Sequence, residues 1–291
     1  MDSPPAFPAP QTWHPLVSLA LAEDVGPGDV TTPLVLDASV TGRAIVEARQ
    51  TLIVCGLPLV RHVFETVDAS LDVTTCVKEG DVADPAEPLL EIDGSLASIL
   101  AAERTALNFL GRMSGVSTYT RRYVEAVAGT DTRIVDTRKT LPGWRALDKY
   151  ATAVGGGLNH RSGLFDGILL KDNHIAAAGG IEAAVKSALD GAPAGLRVQV
   201  EVESEHDAQV AVSAGADFLL LDNLPPASMA SIVRSLADRA ILEASGGVNF
   251  DNVVDVAQTG VHRISIGALT HSAPAADVAL ELSNAPGGVR K

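Results

Sequence analysis

Cysteine and membrane-spanning apolar segments are scarce or absent in this 291-residue sequence. Its two cysteines, Cys55 and Cys76, lack the paired spacing of zinc ligands and lie in apolar, strand-like stretches. We therefore expect both to be reduced core residues of a cytoplasmic protein. The amino terminus has neither the basic region nor the apolar segment of a signal peptide. No apolar run approaches the roughly 18 residues of a membrane-spanning helix, so no membrane partner is expected.

Positive charge is also scarce, with 22 lysines and arginines against 36 acidic residues and a net charge of −14. This balance argues against a nucleic-acid partner. Three common catalytic signatures are missing as well: a P-loop, a nucleophile elbow and the paired-histidine zinc motif. The sequence thus excludes several large classes of enzyme.

Against this acidic background, residues 133–174 form a positive island with seven basic and four acidic residues, a net charge of +3. Arg138 and Lys139 directly follow a strand-like segment, and Lys171 ends the apolar run 167–170. A cation at the end of a buried strand is costly to desolvate unless an anion meets it. The placement of these three cations therefore predicts an anion-binding site.

Three motifs within the island carry a family resemblance. Residues 136–151 read DTRKTLPGWRALDKYA, residues 155–161 read GGGLNHR, and residues 169–174 read LLKDNH. Together they resemble the signature of quinolinate phosphoribosyltransferase, and the likeness extends from about Leu19 to His271. The resemblance implies an α/β fold in which an incomplete α/β barrel follows an α+β sandwich domain.

The hydrophobic pattern divides the chain into segments. We predict a disordered, proline-rich lead over residues 1–12 and an α+β sandwich domain over residues 13–115. A helix that begins near Ser98 ends at Gly115 in this interpretation, and a second helix follows from 116 to 128. The α/β barrel domain then occupies residues 116–271, and residues 272–291 pack back on the first domain.

Strands and helices alternate along the second half, which predicts a parallel sheet. The six expected strands are 133–137, 167–171, 197–203, 217–222, 239–244 and 262–267. Six strands fall short of the eight of a full barrel, so the pattern alone also allows an open, doubly wound sheet. The resemblance favours the incomplete barrel.

The carboxyl ends of these strands carry the candidate site, because such ends hold the chemistry of α/β barrels. Arginine binds carboxylates bidentately and lysine acts as a point charge. Arg138, Lys139, Arg161 and Lys171 are therefore suited to a pyridine dicarboxylate. The resemblance adds Arg104, which it places in the active site of a neighbouring subunit.

Glycine-rich strand ends predict the phosphate site. Ser245, Gly246 and Gly247 precede a helix that Asn249 can cap, and Gly267 with Ala268 ends the next strand. Exposed backbone N–H groups at such positions bind phosphate.

Two carboxylates complete the strand ends. Glu201 and Asp222 suit Mg²⁺, which binds one or two carboxylates together with substrate phosphates, or they suit ribose hydroxyl groups. Ion pairing with the cation cluster is the alternative explanation. Glu203 shares the strand face of Glu201 by period-two alternation, and only the resemblance favours Glu201.

The resemblance implies that the chain converts quinolinate and 5-phosphoribosyl 1-diphosphate to nicotinate mononucleotide, diphosphate and CO₂ in NAD biosynthesis. It also implies Mg²⁺ as cofactor and a homodimer, or a higher even-numbered oligomer, with shared active sites. The chain lacks the Asp-Asp pair of the commonest phosphoribosyltransferases, as this family does. The predicted catalytic residues are Lys139, Lys171, Glu201 and Asp222. The predicted substrate-binding residues are these four together with Arg104, Thr137, Arg138, His160, Arg161, Ser245, Gly246, Gly247, Gly267 and Ala268.

Three other functions remain open on this reasoning. A nicotinate phosphoribosyltransferase or the molybdenum-operon pyrophosphorylase-like protein would share the fold. A monocarboxylate substrate, however, needs fewer cations than this sequence offers. A non-catalytic sugar-phosphate sensor would keep only the phosphate loops, and the intact lysines and carboxylates argue against it.

Overall fold

The computed structural model describes residues 5–283, which form two compact units. Among these residues, unit 1 contains 5–121, 141–156 and 273–283, and unit 2 contains 122–140 and 157–272. The helices are α1 His14–Asp24, α2 Thr32–Val35, α3 Leu57–Val67, α4 Leu96–Ala126, α5 Arg145–Val154, α6 Asp172–Ala177, α7 Ile181–Gly191, α8 Glu205–Ser213, α9 Pro226–Leu236, α10 Val253–Gln258 and α11 Ala268–His271. The strands are β1 Thr41–Ala48, β2 Leu52–Ile53, β3 Asp72–Thr75, β4 Val82–Ala83, β5 Pro88–Ser95, β6 Arg133–Val135, β7 Ile168–Leu170, β8 Val198–Val202, β9 Phe218–Asp222, β10 Ile241–Ser245, β11 Arg263–Ser265 and β12 Val278–Leu282.

An antiparallel sheet of four strands forms the framework of unit 1, in the order β12-β1-β5-β3. Alternate residues of β1, such as Ala44 and Val46, are fully buried and face the apolar core with α3 and α4. The edge strand β12 comes from the end of the described chain and pairs antiparallel with β1. The rest of the predicted returning tail, residues 284–291, lies outside the described residues.

The prediction that Gly115 ends a helix is wrong, since α4 continues through this residue to Ala126. A Cβ atom on Gly115 would lie 2.2 Å from the carbonyl oxygen of Pro274, and one on Gly111 would lie 2.9 Å from that of Ala276. Both glycines therefore allow the returning chain to pack closely against the helix. The first stretch of unit 1 ends at Arg121, and the predicted division lies at residue 115.

Helix α5 belongs to unit 1, although the sequence pattern assigned its residues to the barrel domain. The Nε and one terminal nitrogen of Arg112 on α4 donate to Oδ1 of the buried Asp148 at 3.2 and 2.9 Å. Burial raises the pKa of Asp148, and the Arg112 charge opposes this shift. The hydroxyl of Tyr150 donates to Glu79 Oε2 at 2.8 Å. These contacts tie α5 to two other parts of unit 1.

Two further predictions for unit 1 need correction. In place of a disordered lead, residues 5–12 include a 3-10 turn at Pro10–Thr12, and Phe7 packs edge-on against Trp13 and Tyr150. Aromatic packing thus orders this segment despite its prolines. Residues 1–4 lie outside the described part. Cys55 is buried as predicted, but Cys76 is exposed because it follows the end of β3.

Six parallel strands form the sheet of unit 2, in the order β6-β11-β10-β9-β8-β7. All six strands predicted from the sequence are confirmed within two residues at each end. The first four residues of β9, Phe218 to Leu221, are all buried, as expected of a strand covered on both faces. Among the described residues β6 and β7 form the two edges and do not pair with each other, so no closed barrel is formed.

The register of this sheet aligns the carboxyl ends of its strands. Glu201 and Glu243 both lie opposite Leu220, and Ser245 lies opposite Asp222. Because paired residues of parallel strands project to the same face, these polar side chains share one side of the sheet. None of the helices within residues 5–283 combines the length and the apolar character needed to cross a membrane.

Candidate active site

The carboxyl ends of the unit 2 strands surround a cavity of about 500 Å³. Eleven of the predicted site residues line it: Thr137, Arg138, Lys139, His160, Arg161, Lys171, Glu201, Asp222, Ser245, Gly246 and Gly247. Its four lysine and arginine side chains and two carboxylates give a net formal charge of +2. In a chain of net charge −14 this cavity is suited to an anionic ligand.

The arginines come from two loops that follow β6 and α5. Arg161 donates from a terminal nitrogen to the carbonyl oxygen of Gly167 at 3.0 Å, which fixes its side chain along that loop. Burial, and after it the charge of Arg138, lowers the pKa of the Arg161 guanidinium. Two arginines that repel each other at the cavity wall are stabilised when a dianion binds between them.

The two lysines occupy different surroundings. Lys139 is exposed, its backbone N–H donates to Thr137 Oγ1 at 3.0 Å, and its carbonyl accepts from Thr270 Oγ1 at 2.8 Å. Lys171 Nζ donates to Glu201 Oε2 at 2.9 Å. The backbone of Lys139 is therefore held by two hydroxyl groups, and the ammonium of Lys171 is held by a carboxylate.

The structure separates the two candidate glutamates. Glu201 lies within β8 and lines the cavity, whereas Glu203 follows the end of β8 and is exposed. Asp222, at the end of the neighbouring β9, accepts from Asn223 Nδ2 at 2.8 Å. No group of three or more potential metal-binding His, Cys, Asp or Glu residues occurs in the part of the chain described, residues 5–283. Glu201 and Asp222 thus form a sparse pair of oxygen donors.

Asn223, which follows the neighbouring strand β9, restricts the residue that can occupy the start of the glycine loop after β10. Gly246 has φ +91°, and a Cβ atom there would lie 2.1 Å from Asn223 Oδ1 and 3.0 Å from the Asn223 backbone nitrogen. Gly247 has φ +62° with open space around it. Only glycine fits at the first position, because it combines a left-handed backbone with this close approach.

The segment after this loop differs from the prediction. Helix α10 begins at Val253, and Asn249 Oδ1 instead accepts from the backbone N–H of Asp251 at 2.9 Å. Asn249 therefore closes a turn rather than capping a helix. Two other predicted residues lie outside the cavity lining: Gly267 directly precedes α11, and Ala268 is the first residue of this helix. A Cβ atom on Gly267 would nevertheless lie 2.9 Å from Lys139 Cδ.

Arg104 is exposed on α4 in unit 1, so it is not part of the unit 2 cavity lining. His174 Nδ1 accepts from the backbone N–H of Lys171 at 3.1 Å, which is a structural contact. Four cavity-lining residues were not among the predicted site residues: Leu169, Leu220, Asn223 and Ser265. Asn223 has φ +53°, and its position directly after Asp222 at a strand end was the available signal.

His160 is held from three sides at the edge of the cavity. Its backbone N–H donates to Oδ1 of the buried Asp136 at 2.7 Å, and its Nδ1 accepts from the Arg161 backbone N–H at 3.0 Å. Its Nε2 lies 2.9 Å from Gln199 Oε1 and 3.4 Å from Glu243 Oε1. Neither Gln199 nor Glu243 was foreseen, because both occupy strand interiors where the sequence pattern predicts apolar residues.

Parallel strands that present cations, carboxylates and glycine loops from their carboxyl ends define an α/β enzyme class that binds phosphorylated anions. Comparison with known proteins gives the family. The family model of the quinolinate phosphoribosyl transferase N-terminal domain matches residues 29–114, and that of the C-terminal domain matches residues 116–281. The chain belongs to the quinolinate phosphoribosyl transferase family.

Individual relatives agree with this assignment. The probable carboxylating nicotinate-nucleotide pyrophosphorylase of Bacillus subtilis is 38% identical over 261 residues, which cover 90% of each chain. The decarboxylating quinolinate phosphoribosyltransferase 1b of Nicotiana tabacum is 37% identical over 298 residues, covering 96% of this chain and 84% of the relative. The solved nicotinate-nucleotide pyrophosphorylase of Francisella tularensis superposes with a TM-score of 0.92 at 35% identity, covering 97% of this chain and all of that one.

Proposed function

We propose that the chain transfers a phosphoribosyl group from 5-phosphoribosyl 1-diphosphate to quinolinate in the unit 2 cavity. The products are nicotinate mononucleotide, diphosphate and CO₂, and the reaction belongs to NAD biosynthesis. The observation that carries this proposal is that two arginines, two lysines and a glycine loop line one cavity. One part of this lining suits a flat dicarboxylate and the other suits a phosphorylated sugar.

Arg138 and Arg161 hold the two carboxylates of quinolinate, because a guanidinium group binds a carboxylate with two parallel hydrogen bonds. This orientation directs the pyridine nitrogen at the anomeric carbon of the ribose. Positioning of two reactants in this way supplies a large share of the rate acceleration in such a reaction. Gly246 and Gly247 receive phosphate oxygens on their backbone N–H groups.

The bond from the anomeric carbon to the diphosphate breaks as the nitrogen–carbon bond forms. Lys139 stabilises the negative charge that develops on the departing diphosphate. The nitrogen becomes positively charged, which favours loss of the adjacent 2-carboxylate as CO₂. The electron pair left on the ring carbon then takes a proton from water, and nicotinate mononucleotide results.

Mg²⁺ is the cofactor that this site suits. Glu201 and Asp222 line the same cavity, and Mg²⁺ is commonly bound by one or two carboxylates together with substrate phosphates. The sparse donor set fits an ion that arrives with the diphosphate substrate. When bound, the ion neutralises diphosphate charge, while Lys171 stays paired with Glu201 and orients that carboxylate.

The assembly we propose is a cytoplasmic homodimer, or a higher even-numbered oligomer, in which Arg104 reaches the active site of the partner. Arg104 is exposed on α4. Four large apolar side chains near the amino terminus are also exposed by 65–84%: Leu19, Val30, Leu34 and Val35. A second copy of the chain would remove such apolar surface from water.

A turnover assay with quinolinate and with nicotinate, each supplied with 5-phosphoribosyl 1-diphosphate and Mg²⁺, tests the reaction. We expect CO₂ release and nicotinate mononucleotide formation in equal amounts with quinolinate, and no comparable turnover with nicotinate. Preferential turnover of nicotinate would instead assign the cavity to a monocarboxylate. Binding of both substrates without any turnover would support a sensor.

A further inference from the structure

Glu243 is an ionisable side chain in the interior of the unit 2 sheet that the proposed mechanism does not use. It lies in the middle of β10 and is 0% exposed. Neither of its carboxylate oxygens is hydrogen-bonded to any of residues 5–283. Burial of a carboxyl group without such bonds costs free energy, so a buried carboxyl of this kind calls for a compensating neighbour.

That neighbour is His160. The hydrogen bond from the Arg161 backbone to Nδ1 requires a lone pair on this nitrogen, so the imidazole hydrogen resides on Nε2. This Nε2–H group donates to Gln199 Oε1 at 2.9 Å and faces Glu243 Oε1 at 3.4 Å. The imidazole of a cavity-lining residue is therefore held between acceptors from β8 and β10.

We propose that Glu243 is a positioning residue for phosphoribosyl transfer, a role that rests on the function proposed above. It acts through His160, because its carboxylate faces the Nε2–H group and maintains the orientation of the imidazole ring. Since the same imidazole accepts the backbone N–H of Arg161, a displaced ring displaces the arginine that holds quinolinate. Glu243 itself does not line the cavity, which distinguishes it from Glu201.

Glu243 could act through its negative charge alone or by positioning His160, and these two roles predict opposite effects of its removal on quinolinate binding. If Glu243 contributed only its negative charge, its removal would strengthen the binding of a dianion nearby. If it positions His160 and Arg161, its removal weakens quinolinate binding and leaves 5-phosphoribosyl 1-diphosphate binding nearly unchanged. Loss of a partner that orients a metal-binding histidine typically costs about 10- to 100-fold in metal affinity or activity, and we expect a loss at the lower end of this range here.

The test compares Glu243→Gln, which keeps the shape and removes the charge, with Glu243→Asp, which keeps the charge and shortens the side chain. Glu182→Gln is the matched control, because Glu182 is an exposed glutamate of α7 in the same unit. We expect the KM for quinolinate to rise about 10-fold in Glu243→Gln, to rise less in Glu243→Asp, and to stay unchanged in Glu182→Gln. The KM for 5-phosphoribosyl 1-diphosphate should change by less than about two-fold in all three variants, because Glu243 acts on the quinolinate side.

A second readout does not depend on turnover. Imidazole ¹⁵N signals of the substrate-free protein, with His160 identified from a His160→Asn variant, report the tautomer directly. We expect protonated Nε2 and unprotonated Nδ1 in the wild type. The His160 signals should change in Glu243→Gln and stay the same in Glu182→Gln.

An unchanged or lowered KM for quinolinate in Glu243→Gln would overturn the proposal, as would a larger defect in Glu243→Asp than in Glu243→Gln. If Glu243→Gln does not fold, Glu243→Asp decides, and a wild-type KM for quinolinate in that variant contradicts the proposal. If the wild type fails to turn over quinolinate, the proposed function is wrong. The imidazole signals still test the contact between Glu243 and His160 in that case.

Discussion

Replacement of Gly246 by alanine tests whether the glycine loop after β10 and Asn223 shape the phosphate site. A Cβ atom at this residue would lie 2.1 Å from Asn223 Oδ1, whereas real Cβ contacts do not fall below 3.0 Å. The asparagine must therefore move by about 1 Å, which breaks its hydrogen bond to Asp222 or shifts the backbone that pairs with Ser245. A misplacement of about 1 Å at a catalytic site can lower turnover by about 10²-fold, equivalent to about 2.7 kcal/mol.

Gly179→Ala is the matched control. Gly179 has φ +86°, close to the +91° of Gly246, but no atom lies within 4 Å of the place that a Cβ atom on Gly179 would occupy. Both alanine variants force an L-residue into the left-handed region, which costs about 1–2 kcal/mol of folding stability. Only Gly246→Ala adds the collision with Asn223.

Urea unfolding and kcat/KM for 5-phosphoribosyl 1-diphosphate measure the two effects separately. We expect Gly246→Ala to lose at least as much stability as Gly179→Ala, and only Gly246→Ala to lose activity by at least about 10²-fold. Equal activities in the two variants would refute the argument that this glycine loop and Asn223 shape the phosphate site.

Three more predictions concern the cations. Lys139→Ala and Lys171→Ala should each lower kcat by at least about 10²-fold with little change in thermal stability, and near wild-type turnover in either would remove its assigned role. Arg161→Ala should weaken quinolinate binding by about 2–5 kcal/mol, far more than 5-phosphoribosyl 1-diphosphate binding. Calorimetric titrations with equal losses for both ligands would contradict this. Arg104→Ala and Lys171→Ala homodimers should each be nearly inactive, yet after subunit exchange at equal mixing they should recover roughly a quarter of wild-type activity. About half of the dimers are then heterodimers with one intact site of two. No recovery despite demonstrated exchange would contradict a shared site.

The strands of unit 2 and the cavity lining were predictable because strand ends in an α/β sheet follow simple rules. An apolar run such as 218–221 followed by Asp222 indicates both the strand and the polar position at its end. Lys171 and Glu201 obey the same rule from neighbouring strands. Periodicity therefore located side chains that tertiary structure then brought to one cavity.

Other features depend on contacts between residues distant in sequence, which no local pattern contains. The local sequence predicts a helix end at Gly115, but a glycine is needed there because Pro274 approaches the helix closely. A glutamate at position 243 is unexpected in an apolar strand, and its position is explained by the neighbouring His160. Asn249 reads as a helix cap, and only the observed start of α10 shows that it closes a turn. The role of each residue therefore depends on a partner far away in the sequence or on the residue at which a helix begins.

The stretches of unit 1 and unit 2 alternate along the chain, and this affects which fragments can fold and when each unit can form during synthesis. Unit 1 is assembled from three separate stretches, with helix α5 in the second and strand β12 in the third. A fragment that stops at residue 121 would leave Arg112 without Asp148 and Glu79 without Tyr150. Unit 1 thus reaches its complete sheet only after the ribosome has made strand β12, whereas every residue of unit 2 has already been synthesised by then.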